Sequence, residues 1–246
     1  MNVGLQKTSL VNYPGRVAAA VFLPGCNLRC PFCHNGQLAT ASSVSGPHNG
    51  DNEYIPLEEA YAHLDKRAGV LSGLAISGGE PLLSGALVDL IKKAKSLGLT
   101  VKIDTNGTLP DRLLAIIENK ATRPDMIAID IKTSPDRYGE LTTEGGAGSS
   151  FAGDALLRSL AILSQPSSLP LLRIEYRTVL IPGLVGEEEL IAISLLLPPD
   201  ADWQLATFVP GVCLDPSWNR IEPYGNAETR RLESVAKKRI SGASLR

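Results

Sequence analysis

Three of the chain's four cysteines, Cys26, Cys30 and Cys33, fall within eight residues, in the run Cys26-Asn27-Leu28-Arg29-Cys30-Pro31-Phe32-Cys33-His34-Asn35. Thiolates are soft ligands that select zinc, copper(I) or iron–sulfur clusters, and three at this spacing can reach one metal centre from one loop. Four readings of the run compete. Cys30-Pro31-Phe32-Cys33-His34 fits the pattern of covalent haem attachment but leaves Cys26 unexplained. The three cysteines with His34 form a zinc ligand set, although His34 adjoins Cys33 and structural zinc sites more often use two separated ligand pairs. Unligated thiols have no reason to cluster. The fourth reading is a cubane iron–sulfur cluster. Such clusters usually take four cysteines, and a missing fourth leaves one iron open to a substrate or cofactor. Cys213, the remaining cysteine, lies far along the chain in a Pro/Gly-rich segment and reads as an ordinary thiol.

Regular elements must hold the ends of such a loop. The cysteine run follows residues 17–23, rich in Val and Ala, which read as a strand. Residues 71–77, 100–104, 126–131, 172–179 and 203–208 read as five more. Helical patterns alternate with them. Residues 57–68 follow Pro56 and carry Glu58 and Glu59 in the first turn; residues 84–97 align Leu87, Ile91 and Ala94 and stop at Gly98. Glu187, Glu188 and Glu189 open another helix at the favourable end of its dipole, and residues 226–240 form a last one. Strand–helix alternation implies βα units and a mainly parallel sheet. The expected fold is α/β, a partial (β/α)6 TIM-like barrel, with a doubly wound sheet as the alternative.

In both, ligands gather at the C-terminal ends of the strands. Those ends carry Ser77-Gly78-Gly79-Glu80-Pro81, Asp104-Thr105-Asn106-Gly107 and Asp130-Ile131-Lys132. Paired glycines permit close backbone approach, though a simple turn would use them too, and Asp104 and Asp130 could cap the helices that follow. Residues 38–54 and 138–150 read as long surface loops.

Apolar residues make up 43% of the 246, enough for a sizeable core. The chain reads as one domain, 1–246, with a core over about 15–210 and a C-terminal helix over about 226–240. A net charge of -2 gives no reason to expect a nucleic-acid partner. No run approaches the roughly 20 apolar residues of a membrane span, and Met1 to Lys7 lack the layout of an export signal. The expected location is cytoplasmic, with no membrane partner. In that reducing compartment cysteines serve more often as ligands or catalysts than as disulfides.

Cys-x3-Cys-x2-Cys, with the aromatic Phe32 before the last cysteine, resembles the signature of radical S-adenosylmethionine (radical SAM) enzymes. Lys7-Thr8-Ser9-Leu10-Val11-Asn12-Tyr13-Pro14-Gly15 and Phe22-Leu23-Pro24-Gly25-Cys26 narrow the match. From about Gly4 to Lys132 the chain is similar to the activating proteins of anaerobic (class III) ribonucleotide reductase and to pyruvate formate-lyase activating enzyme. The resemblance implies a four-iron four-sulfur (4Fe-4S) cluster on Cys26, Cys30 and Cys33, whose fourth iron chelates S-adenosylmethionine. It implies reductive cleavage of that cofactor to methionine and a 5′-deoxyadenosyl radical. The radical would take a hydrogen from a backbone glycine of a partner glycyl-radical enzyme, anaerobic ribonucleotide reductase, with flavodoxin or ferredoxin as electron donor. No side-chain acid or base is required.

The resemblance also assigns roles. Gly78 and Gly79 receive the amino group of S-adenosylmethionine, with Glu80 as a nearby negative charge. Phe32 lies against the adenine, and His34 and Asn35 line the same pocket. Asn106 and Lys132 contact the cofactor. Asp104, Thr105 and Asp130 lie near the methionine carboxylate, where such an oxygen set suits a monovalent cation. Arg177 either faces the cofactor or serves a structural ion pair. Two positions depart from the pattern: Asn12 replaces an aspartate, and Val209 stands where arginine is expected, which alters contacts from the last strand. A six-unit barrel leaves a lateral opening for a glycine loop, and residues 138–150 are placed to meet the partner.

Two other functions remain open. One is a small-molecule radical SAM enzyme similar to 7-carboxy-7-deazaguanine synthase. The other is a metal-stabilised binding module without catalysis, against which the Gly-Gly-Glu-Pro and Asp-Thr-Asn-Gly stretches count together.

Overall fold

A computed structural model describes residues 1–41, 53–141, 151–164 and 171–246. The six expected strands are present as β2 (Ala18–Leu23), β4 (Gly73–Gly78), β5 (Thr100–Thr105), β6 (Met126–Asp130), β7 (Arg173–Leu180) and β8 (Asp202–Thr207). They lie side by side in that order, all parallel. Three strands were not expected. β1 (Asn2–Ser9) pairs antiparallel with β2, β3 (Glu53–Pro56) pairs antiparallel with β1, and β9 (Ala243–Leu245) runs parallel to β8. The sheet thus has nine strands in the order β3-β1-β2-β4-β5-β6-β7-β8-β9, a partial (β/α)6 barrel extended at both edges.

α1 (Gly36–Thr40) follows the cysteine loop; α2 (Leu57–Arg67), α3 (Leu87–Ser96), α4 (Pro110–Glu118), α5 (Ala152–Leu163), α6 (Glu187–Ser194) and α7 (Asn226–Lys237) cover the outer face. α4 opens on proline, whose fixed φ suits a first helical turn, and buries Leu113, Ile116 and Ile117. α5 buries Leu156, Leu160 and Leu163 at helical spacing. No helix among the described residues is long and apolar enough to cross a membrane.

Period-two alternation divides each strand between two environments. Leu74, Ile76, Val101, Ile103, Ile127 and Ile129 join the main apolar core under the helices. The alternate residues face the barrel interior. Low in it, Ala18, Ala20, Ala75 and Met126 pack with Tyr13 in a separate small cluster. The register continues this row into charge: Ala75 pairs with Lys102, Asp104 with Ala128, Ala128 with Glu175, and Asp130 with Arg177.

Both expected loops are corrected where they are described. Residues 38–40 belong to α1 and Tyr54 to β3; residues 42–52 lie outside the described residues. Tyr138 belongs to 3-10 turns over Pro135–Leu141 and is fully buried, its hydroxyl accepting from the Lys132 backbone N–H (3.1 Å). That anchor ties the start of the segment to the strand end after β6. Residues 142–150 lie outside the described residues.

Candidate functional site

The cysteine loop leaves the C-terminal end of β2 and runs into α1. Main-chain bonds fix it on two sides. The Gly25 N–H donates to Leu38 O (2.7 Å) and the Cys26 N–H to Ala39 O (3.1 Å). From the β4 side, the Gly79 N–H donates to Leu23 O (2.8 Å) and the Glu80 N–H to Gly25 O (2.7 Å). The β2–β4 pairing therefore continues into the loop, and this continuation explains the two glycines. A Cβ on Gly78, whose φ is +124°, would lie 2.3 Å from Leu23 O, and one on Gly79 would lie 2.1 Å from Gly25 O. Only glycine permits backbones to approach so closely.

Side chains then orient the loop. Arg29 donates to the carbonyl oxygens of Cys26 (2.6 Å) and Leu28 (2.9 Å). The Leu28 N–H donates to Cys26 Sγ (3.4 Å), and Asn106 Nδ2 stands 3.7 Å from the same sulfur. Asn106 also donates to Asn27 Oδ1 (3.0 Å), and Asn27 donates to Thr108 Oγ1 (2.7 Å). Asn27 and Thr108 are site residues that the sequence reading missed. The available signal was their proximity to the cysteines and to the Asp-Thr-Asn-Gly stretch.

The three cysteines border a cavity of about 420 Å³ at the C-terminal strand ends. Phe32, His34 and Asn35 line it from the same loop, Gly78 and Gly79 from β4, Asp104, Thr105 and Asn106 from β5, and Asp130 and Lys132 from β6. Residues from four strand ends thus converge on one space. The far wall comes from β7 and β8, with Val179, Ala206, Thr207, Phe208 and Val209. Val209 is 61% exposed at the mouth. Phe208 lies beside His34, with ring centroids 6.4 Å apart. Phe32 meets Trp218 at 5.7 Å, and the Trp218 turn is held by the Asp215 N–H donating to Pro31 O (2.9 Å). Trp218 could not be linked to Phe32 from sequence, since 185 positions separate them.

Two singled-out residues stand behind this wall. Glu80 is fully buried and accepts from Thr105 Oγ1 (2.8 Å), the Asn106 N–H (2.7 Å) and the Leu82 N–H (3.1 Å). It braces the β4 and β5 strand ends together. Burial pushes its carboxyl up to about 7, against the pull of those hydrogen bonds. Arg177 has the ion-pair geometry: its Nε donates to Asp130 Oδ1 (2.7 Å), and its Nη1 lies 3.4 Å from Asp104 Oδ1. Lys132 Nζ holds Asp130 Oδ2 (2.8 Å), and the buried Lys102 pairs with Asp104. Burial opposes ionisation of Asp130, but the Arg177 and Lys132 charges outweigh it and hold the carboxyl below the usual range. Burial likewise works against the Lys132 charge, and Asp130 and Cys30 more than offset it. Asp104 does not cap α4, whose cap position is Leu109, and Asp130 does not cap α5, whose cap position is Phe151; neither cap has a side-chain bond.

The donor set fits an iron–sulfur cluster. Three soft thiols occupy one side of the cavity, and amide, hydroxyl and charged groups face them. Among the described residues no three His, Cys, Asp or Glu side chains converge to hold a single metal ion. Burial pushes the Cys30 thiol up to about 12 and raises Cys26 as well. Loading must therefore displace thiol protons.

Residues 20–191 match the radical SAM superfamily. The chain belongs to that superfamily. Among relatives, a Methanocaldococcus jannaschii protein provisionally named a glycyl-radical enzyme activating enzyme is 28% identical over 99% of this chain and 94% of its own. The pyruvate formate-lyase-activating enzyme of Listeria monocytogenes is 32% identical over 56% of this chain, which spans 55% of that protein. The 7-carboxy-7-deazaguanine synthase of Methanopyrus kandleri is 30% identical over 49% of this chain and 51% of its own. Streptococcus suis SuiB bound to S-adenosylmethionine shares the fold, at TM-score 0.59 and 16% identity over 92% of this chain and 50% of that one. Membership makes this radical SAM protein an enzyme and implies a 4Fe-4S cluster and S-adenosylmethionine.

Proposed function

We propose that this radical SAM enzyme activates a glycyl-radical enzyme by removing a hydrogen atom from a backbone glycine, and that the partner is an anaerobic ribonucleotide reductase. The observation that carries the reading is the near full-length similarity to the provisionally named glycyl-radical activase. The open sheet supports it: the cavity is bounded by strands of a partial barrel rather than enclosed by a complete one, which leaves a side for a loop of protein substrate.

In this reading Cys26, Cys30 and Cys33 hold the cluster. When bound, cluster and S-adenosylmethionine supply the one-electron cleavage and the hydrogen abstraction. The chain's own residues bind, orient and shield. Gly78, Gly79 and Asn35, whose Nδ2 donates to Gly78 O (3.2 Å), shape the side that takes the cofactor's amino group. Lys132 offers the cavity a cation for its carboxylate, while Phe32 and His34 supply flat surfaces. Asp104, Thr105, Asn106 and Asp130 complete the polar wall, which Glu80 and Arg177 brace from behind. Flavodoxin or ferredoxin would deliver the electron, in the cytoplasm, to a chain acting as one domain.

The test mixes cluster-loaded enzyme, reductant and S-adenosylmethionine with candidate glycyl-radical enzymes, and reads the glycyl radical by electron paramagnetic resonance. A doublet on anaerobic ribonucleotide reductase supports the reading; a doublet on another glycyl-radical enzyme alone corrects the partner. The second reading, a small-molecule enzyme, rests on the similarity to the deazaguanine synthase. Turnover of a free metabolite without any protein partner would favour it.

A further inference from the structure

The cation expected among Asp104, Thr105 and Asp130 would have to share groups that are already engaged. The Thr105 hydroxyl donates to Glu80 and accepts from the Gly107 N–H (3.1 Å). Asp130 is held by Lys132 (2.8 Å) and Arg177 (2.7 Å). Asp104 is held by Lys102 and, at 3.4 Å, by Arg177. Lys102 is 1% exposed and lies one pleat below Asp104 on the interior face of β5. It is outside the cavity and reaches the carboxylate from behind.

Charge decides the matter. Three cations, Lys102, Lys132 and Arg177, directly contact the two carboxylates Asp104 and Asp130, so neither carboxylate lacks a cationic partner. Below them Glu175 also acts on Arg177, and its Oε2 lies 3.6 Å from Arg246. Carboxylates already paired with fixed cations attract a further cation weakly, and the fixed cations repel it, most strongly where water is scarce. The Lys ammonium is a compact point charge of the same sign as potassium, but tethered to the strand.

We infer that this chain binds S-adenosylmethionine without a monovalent metal cation, because the buried Lys102 ammonium beside Asp104 supplies that charge from within the fold. The inference rests on the proposed cofactor site. It makes Lys102 a positioning residue, acting through Asp104.

The experiment is calorimetric titration of cluster-loaded enzyme with S-adenosylmethionine, in potassium or in tetramethylammonium chloride at equal ionic strength. Wild-type affinity should differ by less than about twofold between the salts. Lys102→Met, which keeps the length and removes the charge, should bind about tenfold more weakly in tetramethylammonium and recover in potassium. Lys102→Arg should stay indifferent to the salt. A wild type that needs potassium overturns the inference, and this arm requires no variant to fold. A Lys102→Met variant as indifferent as wild type removes Lys102 from the role and overturns it too. Failure of the wild type to bind S-adenosylmethionine in either salt would strike the cofactor site itself.

Discussion

The two faces of the parallel sheet follow opposite rules. The outer face presents Leu74, Ile76, Val101, Ile103, Ile127 and Ile129 to the helices, all at 1% exposure or less. The inner face places alanines at its base and Lys102, Asp104, Asp130, Glu175 and Arg177 above them. Both sets are on the same strands, one residue apart. The outer face obtains its stability from apolar area removed from water. The inner face keeps its charges only because each meets an opposite charge. The outer face therefore sets the fold, and the inner face sets what the fold can bind.

The largest test of this division falls where the two backbones touch. Gly79→Ala would force a Cβ against Gly25 O. The cysteine loop should shift, and reconstituted protein should lose most of its iron and its visible cluster absorbance, with the far-ultraviolet dichroism of the sheet unchanged. Full iron content in that variant would show that the close approach is not needed. Next, Ile76→Ala on the outer face should cost about 2–5 kcal/mol of stability in denaturant titration. Its S-adenosylmethionine affinity, per folded molecule, should stay within about twofold. A large loss of affinity there would erase the distinction between the faces.

Glu80 lies where the faces meet, and its effect depends on pH. Its carboxyl, pushed up to about 7, keeps a proton in the folded chain that an unfolded glutamate near pH 4.3 gives up. The folded state thus holds more protons between those values, and stability should fall as pH rises through that window. The difference should be on the order of 3 kcal/mol. Glu80→Gln, uncharged throughout, should lack that part of the slope when the metal-free chain is melted from pH 5 to 8. Parallel melting curves would contradict the assignment. The smallest expected stability effect is Arg177→Met, about 1–3 kcal/mol, because Asp130 keeps Lys132 and Asp104 keeps Lys102. Its larger consequence should be weaker cofactor binding, the reverse of Ile76→Ala.

The sequence made the outer face easy to read and the inner face hard. Apolar runs marked the six parallel strands β2 and β4 to β8, and their ends carried the cysteines, Gly78, Gly79, Asp104 and Asp130. β3 and β9 escaped because edge strands are short, and β1 because half-buried Gln6 and exposed Lys7 and Thr8 interrupt its buried residues. Lys102 and Glu175 escaped for another reason. A charge in the middle of a strand reads as facing water, and only the curvature of the sheet turns it inward. Tyr138 was misplaced in a loop because a lone tyrosine among polar residues gives no local sign of burial. The braces supplied by Glu80 and Arg177 also depend on contacts between strand ends far apart in sequence.

In the proposed function, Cys26, Cys30 and Cys33 hold a cluster that cleaves S-adenosylmethionine in the cavity of about 420 Å³. The direct measurement is 5′-deoxyadenosine formed by anaerobically reconstituted enzyme with a strong reductant, beside Cys30→Ala. Wild type should form product, and the variant none above background. Equal product from both, or none from a wild type with a fully loaded cluster and its partner present, would contradict it.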